Sequence, residues 1–169
     1  MNRITTWEME LSLSRYFNYF TNIVVPNVSW GMDLHECDLF ILSKAGFATE
    51  VEIKVSAQDL KADIKKAHSH ENHKIKYLYF AIPHYLEKHS GYIPKRAGIL
   101  SLKKRLEDGY IEVNKIREPV KNGNYRYSME EKLKLQRLGV IRIWSLKHSL
   151  EQSKQWRKTK EVCQEGENK

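Results

Sequence analysis

From Thr6 to Phe20 the apolar residues Met9, Leu13, Tyr16, Phe17 and Phe20 recur at three- and four-residue steps. That spacing predicts an amphipathic helix with one buried stripe, capped by Thr5 or Thr6. The run from Asn22 to Trp30 is rich in β-branched residues, and its Pro26 predicts an edge strand or a bulge; Gly31 breaks it. Two apolar–polar alternating segments follow, Glu36 to Ser43 and Phe47 to Val55, joined by Lys44-Ala45-Gly46. A three-residue hairpin loop ends in a left-handed residue, which Gly46 accepts without steric cost. This loop places Leu39 opposite Val51, Ile41 opposite Thr49, Phe40 opposite Glu50, Asp38 opposite Glu52 and Glu36 opposite Lys54. A two-residue loop would mix polar and apolar residues on both faces, so the pattern rejects it. Cys37, Leu39, Ile41, Phe47, Val51, Ile53 and Val55 are then expected to form one apolar face packed on a core.

Ser56-Ala57-Gln58-Asp59 opens a helix whose buried stripe is Ala57, Leu60, Ile64 and Ala67, running to about His68. Ile75 to Ile82 is a continuous apolar run of strand length that Pro83 ends. Strand, helix and strand in series imply a crossover and a parallel pair. The second half is expected to hold strands near Ala97–Leu102 and Tyr110–Ile116, then a helix from Ser128 to Leu138 with Glu131 completing its capping box. Gly139 is expected to end that helix before a strand Val140–Trp144. The fold class is therefore α/β, with a mixed central sheet flanked by helices. Residues 1–155 form one domain, with a core at 6–82 and an α+β C-terminal extension at 83–155; residues 156–169 form a flexible charged tail.

Composition narrows the class. With 169 residues, 41% hydrophobic and 30% charged, the chain can build one hydrophobic core. No apolar run reaches membrane-spanning length and the first residues lack a signal-peptide pattern, so no membrane partner and a cytoplasmic location are expected. Cys37 and Cys163 make neither a disulfide framework nor a zinc spacing. The net charge of +8 favours a polyanionic partner.

The chemistry concentrates on one face of the hairpin, where Glu36, Asp38, Glu50 and Glu52 surround Lys54. Opposed carboxylates repel, and in a partly buried setting they must bind a proton or a cation. A hard divalent ion answers that need: Mg²⁺ takes one or two protein carboxylates and leaves other positions to water and phosphate. Lys54 beside it can orient a water and stabilise a developing oxyanion. Lys61, Lys65 and Lys66 on the next helix can contact phosphates of DNA, or form an ordinary solvated face.

In the order of its elements and in these residues the chain resembles the PD-(D/E)XK nuclease superfamily, whose restriction-endonuclease-like core runs helix, three strands, helix, strand. Residues 6–82 follow that order. The resemblance implies that Asp38 and the triplet Glu52-Ile53-Lys54 form the metal and catalytic site, with the Ile53 carbonyl as a further ligand. It also implies a glutamate from the first helix. At roughly 100° per residue Glu10 lies about 60° from the centre of the apolar stripe and Glu8 about 140° away, so Glu10 matches that role. Gln58 matches an accessory polar position, and Glu36 and Glu50 are further accessory candidates. Cys37 stands where the family usually has proline. In size the chain is similar to small stand-alone members such as Holliday-junction resolvases and bacterial or phage DNA-repair nucleases. That implies a deoxyribonuclease dependent on Mg²⁺, or Mn²⁺, acting in DNA repair, recombination or phage and mobile-element DNA processing, and capable of forming a homodimer.

Other readings use the same residues. The charged face can be solvated, with Lys54 paired to Glu36 or Glu52; Glu10 can be an exposed helical residue. His68, His70 and His73 match no zinc pattern and read as a polar loop. Trp7, Trp30 and Trp144 read as core rather than stacking platforms. The whole chain can be a catalytically inactive nucleic-acid-binding module, or a structural protein whose charge serves solubility.

Overall fold

The computed structural model describes residues 3–28, 32, 34–63 and 72–167, with side chains for all of these except 63 and 157–167. The first helix, α1 (Thr6–Tyr16), starts at a capping box. The Glu8 N–H donates to the Thr5 hydroxyl at 3.2 Å, and the Thr5 N–H donates to the Glu8 carboxylate at 2.9 Å. The helix ends earlier than the apolar spacing predicts, because Asn18 turns into the left-handed region at φ 52°. Met9 and Leu13 are buried, but Tyr16 and Phe20, expected in the stripe, are exposed.

The strands are β1 (Ile23–Val28), β2 (Cys37–Leu42), β3 (Ala48–Ile53), β4 (Ile75–Pro83), β5 (Gly98–Lys104) and β6 (Ile111–Arg117). Among the described residues they form one six-stranded sheet in sequence order, so β1, with its Pro26, is an edge as expected. The β3–β4 and β4–β5 pairs are parallel and the other three are antiparallel. The hairpin register is the expected one: Leu39 faces Val51, Phe40 faces Glu50 and Ile41 faces Thr49. Gly46 adopts φ 83°, and a Cβ there would lie 3.4 Å from the Tyr127 carbonyl oxygen. Gly46→Ala is therefore expected to cost about 1–2 kcal/mol, read as a shift of the urea midpoint at unchanged m-value.

Both faces of the sheet are covered. Leu39, Ile41, Val51, Ile53, Tyr79, Ala81, Leu100 and Leu102 pack beneath Met9 and Leu13 of α1. On the opposite face, Phe40, Leu42, Ala48 and Ile75 pack under Tyr127, Leu135 and Leu138, while Leu78, Phe80 and Ile82 pack under Leu60, Leu86 and Ile93. Leu60 belongs to α2 (Ala57–Asp63), and Leu86 to a 3-10 helix at His84–Tyr92 that the sequence pattern did not announce. The expected helical positions Ile64 and Ala67 lie outside the described residues. Two members of the expected apolar face depart from it. Asn27, at φ 51°, reverses the alternation of β1, so Val25 and Val28 bury on one side and Cys37, opposite Val28, joins Phe40 rather than Leu39. Phe47 is half-buried, with Lys76 and Arg126 over its ring.

The last helix, α3 (Met129–Glu167), begins with the expected Ser128–Glu131 capping box but does not stop at Gly139. Val140–Trp144 is helical, not a strand, and residues 156–167 of the expected tail continue the same helix. Gly139 faces β1, where an added Cβ would sit 3.4 Å from Val25, so this glycine serves close approach rather than termination. Among the described residues no helix is long and apolar enough to cross a membrane.

Glu8 also ties α1 to the end of β5. Its bond to the Lys104 ammonium, followed by those from the Thr5 backbone and hydroxyl, lowers its pKa from 4.5 to about 2. The folded carboxyl is the stronger acid, so this contribution is complete above pH 4.5 and is lost as pH falls towards 2. Melting temperatures of wild type and Glu8→Gln are expected to differ near pH 6 and to converge near pH 2.

Candidate active site

β3 directs Glu50 and Glu52 to the same face, between the two apolar clusters that cover it. Glu50 is 0% exposed, Glu52 2% and Lys54, just past the strand end, 4%. The face expected as possibly solvated is thus closed over by α3, α2 and the 3-10 helix. Lys54 is anchored by its N–H to the Ala81 carbonyl at 3.0 Å, and its Nζ donates to Glu52 Oε2 at 2.7 Å, 5.9 Å from the Phe80 ring centre. The expected alternative, Lys54 with Glu36, is not what forms: Glu36 lies exposed ahead of β2. Glu52 is the nearer acid because residues two apart on a strand share a face.

Asp38 is half-buried on β2, and its Oδ2 accepts the Ile53 N–H at 2.8 Å. This bond continues the ladder past Leu39–Val51 and holds the Asp38 carboxylate against the Glu52-Ile53-Lys54 segment. Glu10 comes from α1, on the far side of the sheet edge. Burial raises its pKa, and the negative charge of Asp38 raises it further, so the two carboxyls share one neighbourhood. Cys37 reports the same field: burial first, then the charges of Glu50, Glu52 and Asp38, push its thiol well above 9.0. Asp38 thus touches the backbone between Glu52 and Lys54, which pair with each other, and Glu10 lies within the electrostatic reach of Asp38.

His35 was not found by sequence reasoning. Its Nε2 lies 2.8 Å from Glu50 Oε1, so the accessory candidate Glu50 is engaged by the loop before β2. A lone histidine in a loop has no periodic signal. Only the demand that a fully buried carboxylate find a partner could have pointed to it.

Other candidates stand apart. Gln58 and Lys61 are exposed on α2, and Lys61 Nζ lies 5.4 Å over the Tyr92 ring. Lys65, Lys66, His68, His70 and Trp30 lie outside the described residues. His73 is exposed against Tyr125. Trp7 and Trp144, expected in the core, are half-exposed. An open cavity of ≈ 360 Å³ adjoins the site; Trp7, Glu10, Pro26, Asn27 and Arg142 are among its walls, so Glu10 borders both. Among the described residues no three His, Cys, Asp or Glu side chains form a ready-made metal cage.

No family model matches the chain, and no curated protein sequence matches it. Among solved structures it is similar to the SPO1766 protein of unknown function from Silicibacter pomeroyi, with a TM-score of 0.56 and 15% identity over 85% of this chain and 88% of that one. At that identity the likeness speaks to the fold alone: a mixed α/β architecture with one central sheet.

Proposed function

We propose that the chain is a metal-dependent nuclease with a restriction-endonuclease-like core that hydrolyses DNA phosphodiester bonds at Asp38, Glu52 and Lys54. The observation that carries this reading is the buried Lys54–Glu52 pair, held at 2.7 Å beside the carboxylate of Asp38. Buried ion pairs are weak stabilisers, and apolar replacements often serve stability as well or better. Packing alone therefore gives no reason for this pair, whereas phosphate chemistry does.

The donor set suits a hard cation. Asp38 and Glu52, with the Ile53 carbonyl, would hold Mg²⁺, or Mn²⁺ in its place, since Mg²⁺ requires only one or two carboxylates and keeps waters. A positive charge there would offset the field of Asp38 on Glu10. When bound, the ion supplies charge neutralisation and a more acidic water. The remaining work falls to the chain. The Ile53 N–H fixes Asp38, the Glu52 carboxylate orients the Lys54 ammonium, and that ammonium donates to the phosphate oxygen on which charge develops. Water oxygen bonds to phosphorus, the ester oxygen leaves, and a proton passes to it. The excess of Lys and Arg, with a net charge of +8, draws the polyanion in.

A second reading, a binding module without activity, is favoured by one observation: Lys54 already occupies Glu52, and Ile53 already occupies one oxygen of Asp38. It requires salt-sensitive DNA retention without cleavage. Supercoiled, single-stranded and branched DNA incubated with Mg²⁺ or with chelator separate the two. Cleavage that needs the metal and disappears in Asp38→Ala supports the nuclease; retention with no cut on any substrate supports the binding module.

A further inference from the structure

We propose that α3 is a dimerisation helix that pairs antiparallel with the α3 of a second copy of this chain, with Trp144 near the twofold axis. The helix has two opposed faces. Leu135 and Leu138 are buried against β1 and its neighbours, and Gly139 lets the backbone come close. At roughly 100° per residue, Leu135 points about 180° away from Trp144. Around Trp144 itself lies a second apolar stripe: Leu133 within about 20°, Val140 within about 40° and Ile141 within about 60°. All four are solvent-exposed, Leu133 by 58% and Trp144 by 57%. Nothing of this chain among the described residues covers them beyond Lys147, whose ammonium lies 4.9 Å over the Trp144 ring.

Two observations select a second copy as the occupant. The first is area. Its four apolar residues offer on the order of 400 Å² of apolar surface, a large patch for a monomer to expose. The polar residues along it bring the face towards the roughly 800 Å² that each partner gives to a standard interface.

The second is charge. Arg137 and Glu151 lie on this same face, each about 20° from Trp144, seven residues before it and seven after it. Both are exposed. An antiparallel copy centred on Trp144 sets Arg137 of each helix opposite Glu151 of the other, so one sequence supplies two complementary pairs by symmetry. A parallel pairing would set like charges together. Apolar positions 133, 140 and 144, with 137 and 151 between and beyond them, follow the alternating three-four spacing of a helix–helix seam.

This inference does not rest on the nuclease reading, because the stripe faces away from Asp38 and Glu52 and its test involves no DNA. Light scattering coupled to size exclusion, with sedimentation for the dissociation constant, is the experiment. Wild type is expected at twice the 20.0 kDa chain mass. Trp144→Glu is expected to run as a monomer with unchanged helical circular dichroism. Arg137→Glu and Glu151→Arg are each expected to weaken the dimer about tenfold, and the double variant to regain most of that loss. Wild type that stays monomeric up to about 0.1 mM overturns the proposal. So does a double variant weaker than either single one, since the two charges would then not face each other. Binding of monomeric wild type to lipid vesicles would name a different occupant and overturn it equally.

Discussion

Lys54→Ala is expected to unfold about 3–5 kcal/mol more easily than wild type and to lose cleavage by about 10²-fold or more. Both effects follow from burial. Glu52 is 2% exposed and sits two residues from Glu50, which is 0% exposed, so removing the ammonium at 2.7 Å takes a positive charge out of a buried acidic neighbourhood. The opposite sign is expected when both members are neutralised together. Glu52→Gln with Lys54→Met removes the charge and keeps much of the volume, so its stability should come back to within about 1 kcal/mol of wild type or exceed it. That double variant should still be inactive. Urea unfolding and single-turnover cleavage on the same preparations give both numbers. A Lys54→Ala protein as stable as wild type would mean that the ammonium does not neutralise Glu52 in the folded chain.

Gly98→Ala is expected to cost about 3 kcal/mol, large for one methyl group. Gly98 pairs with Tyr79 across the β4–β5 ladder, and an added Cβ would lie 2.5 Å from the Tyr79 ring and 3.0 Å from the Arg117 carbonyl oxygen. The ring is packed against the core beneath α1 and against Phe17, so it cannot swing aside cheaply. The Arg117 oxygen belongs to β6, so the strain reaches both neighbours of β5. The midpoint of urea unfolding measures it. If the cost stays below 1 kcal/mol, the Tyr79 ring has room to move that the packing does not show.

How much of this could be read from the chain depended on whether a local rule governed each residue. Lys44-Ala45-Gly46 set the β2–β3 register because only one loop length keeps the faces consistent, and Asp38 consequently falls beside the Glu52-Ile53-Lys54 segment. The angle of Glu10 on α1 put it at the edge of the buried stripe, and it is half-buried and within the field of Asp38. Long-range partners were not legible. Nothing local links His35 to Glu50, and Lys54 could choose between Glu36 and Glu52 until the cover on that face was known. Gly139 misled because its backbone freedom suits a helix end, while here it serves the approach of α3 to Val25. The β-branched run Val140–Trp144 then read as a strand, though here it continues α3, whose buried side packs against β1. Cys37 packs with its cross-strand partner Val28 and with Phe40, beside the left-handed Asn27 of β1, which no alternation rule on β2 announces.

Single-turnover cleavage of end-labelled DNA by wild type and Asp38→Asn, with Mg²⁺ and with chelator, is the most direct test of the proposed site. Asparagine keeps an oxygen that can accept the Ile53 N–H, now 2.8 Å from Asp38 Oδ2, so the hairpin should remain intact while the charge is lost. The expected result is Mg²⁺-dependent cleavage by wild type and a fall of about 10³-fold in Asp38→Asn, with thermal stability nearly unchanged. Cleavage that persists in chelator, or that Asp38→Asn performs as well as wild type, would contradict a metal-dependent site at Asp38, Glu52 and Lys54.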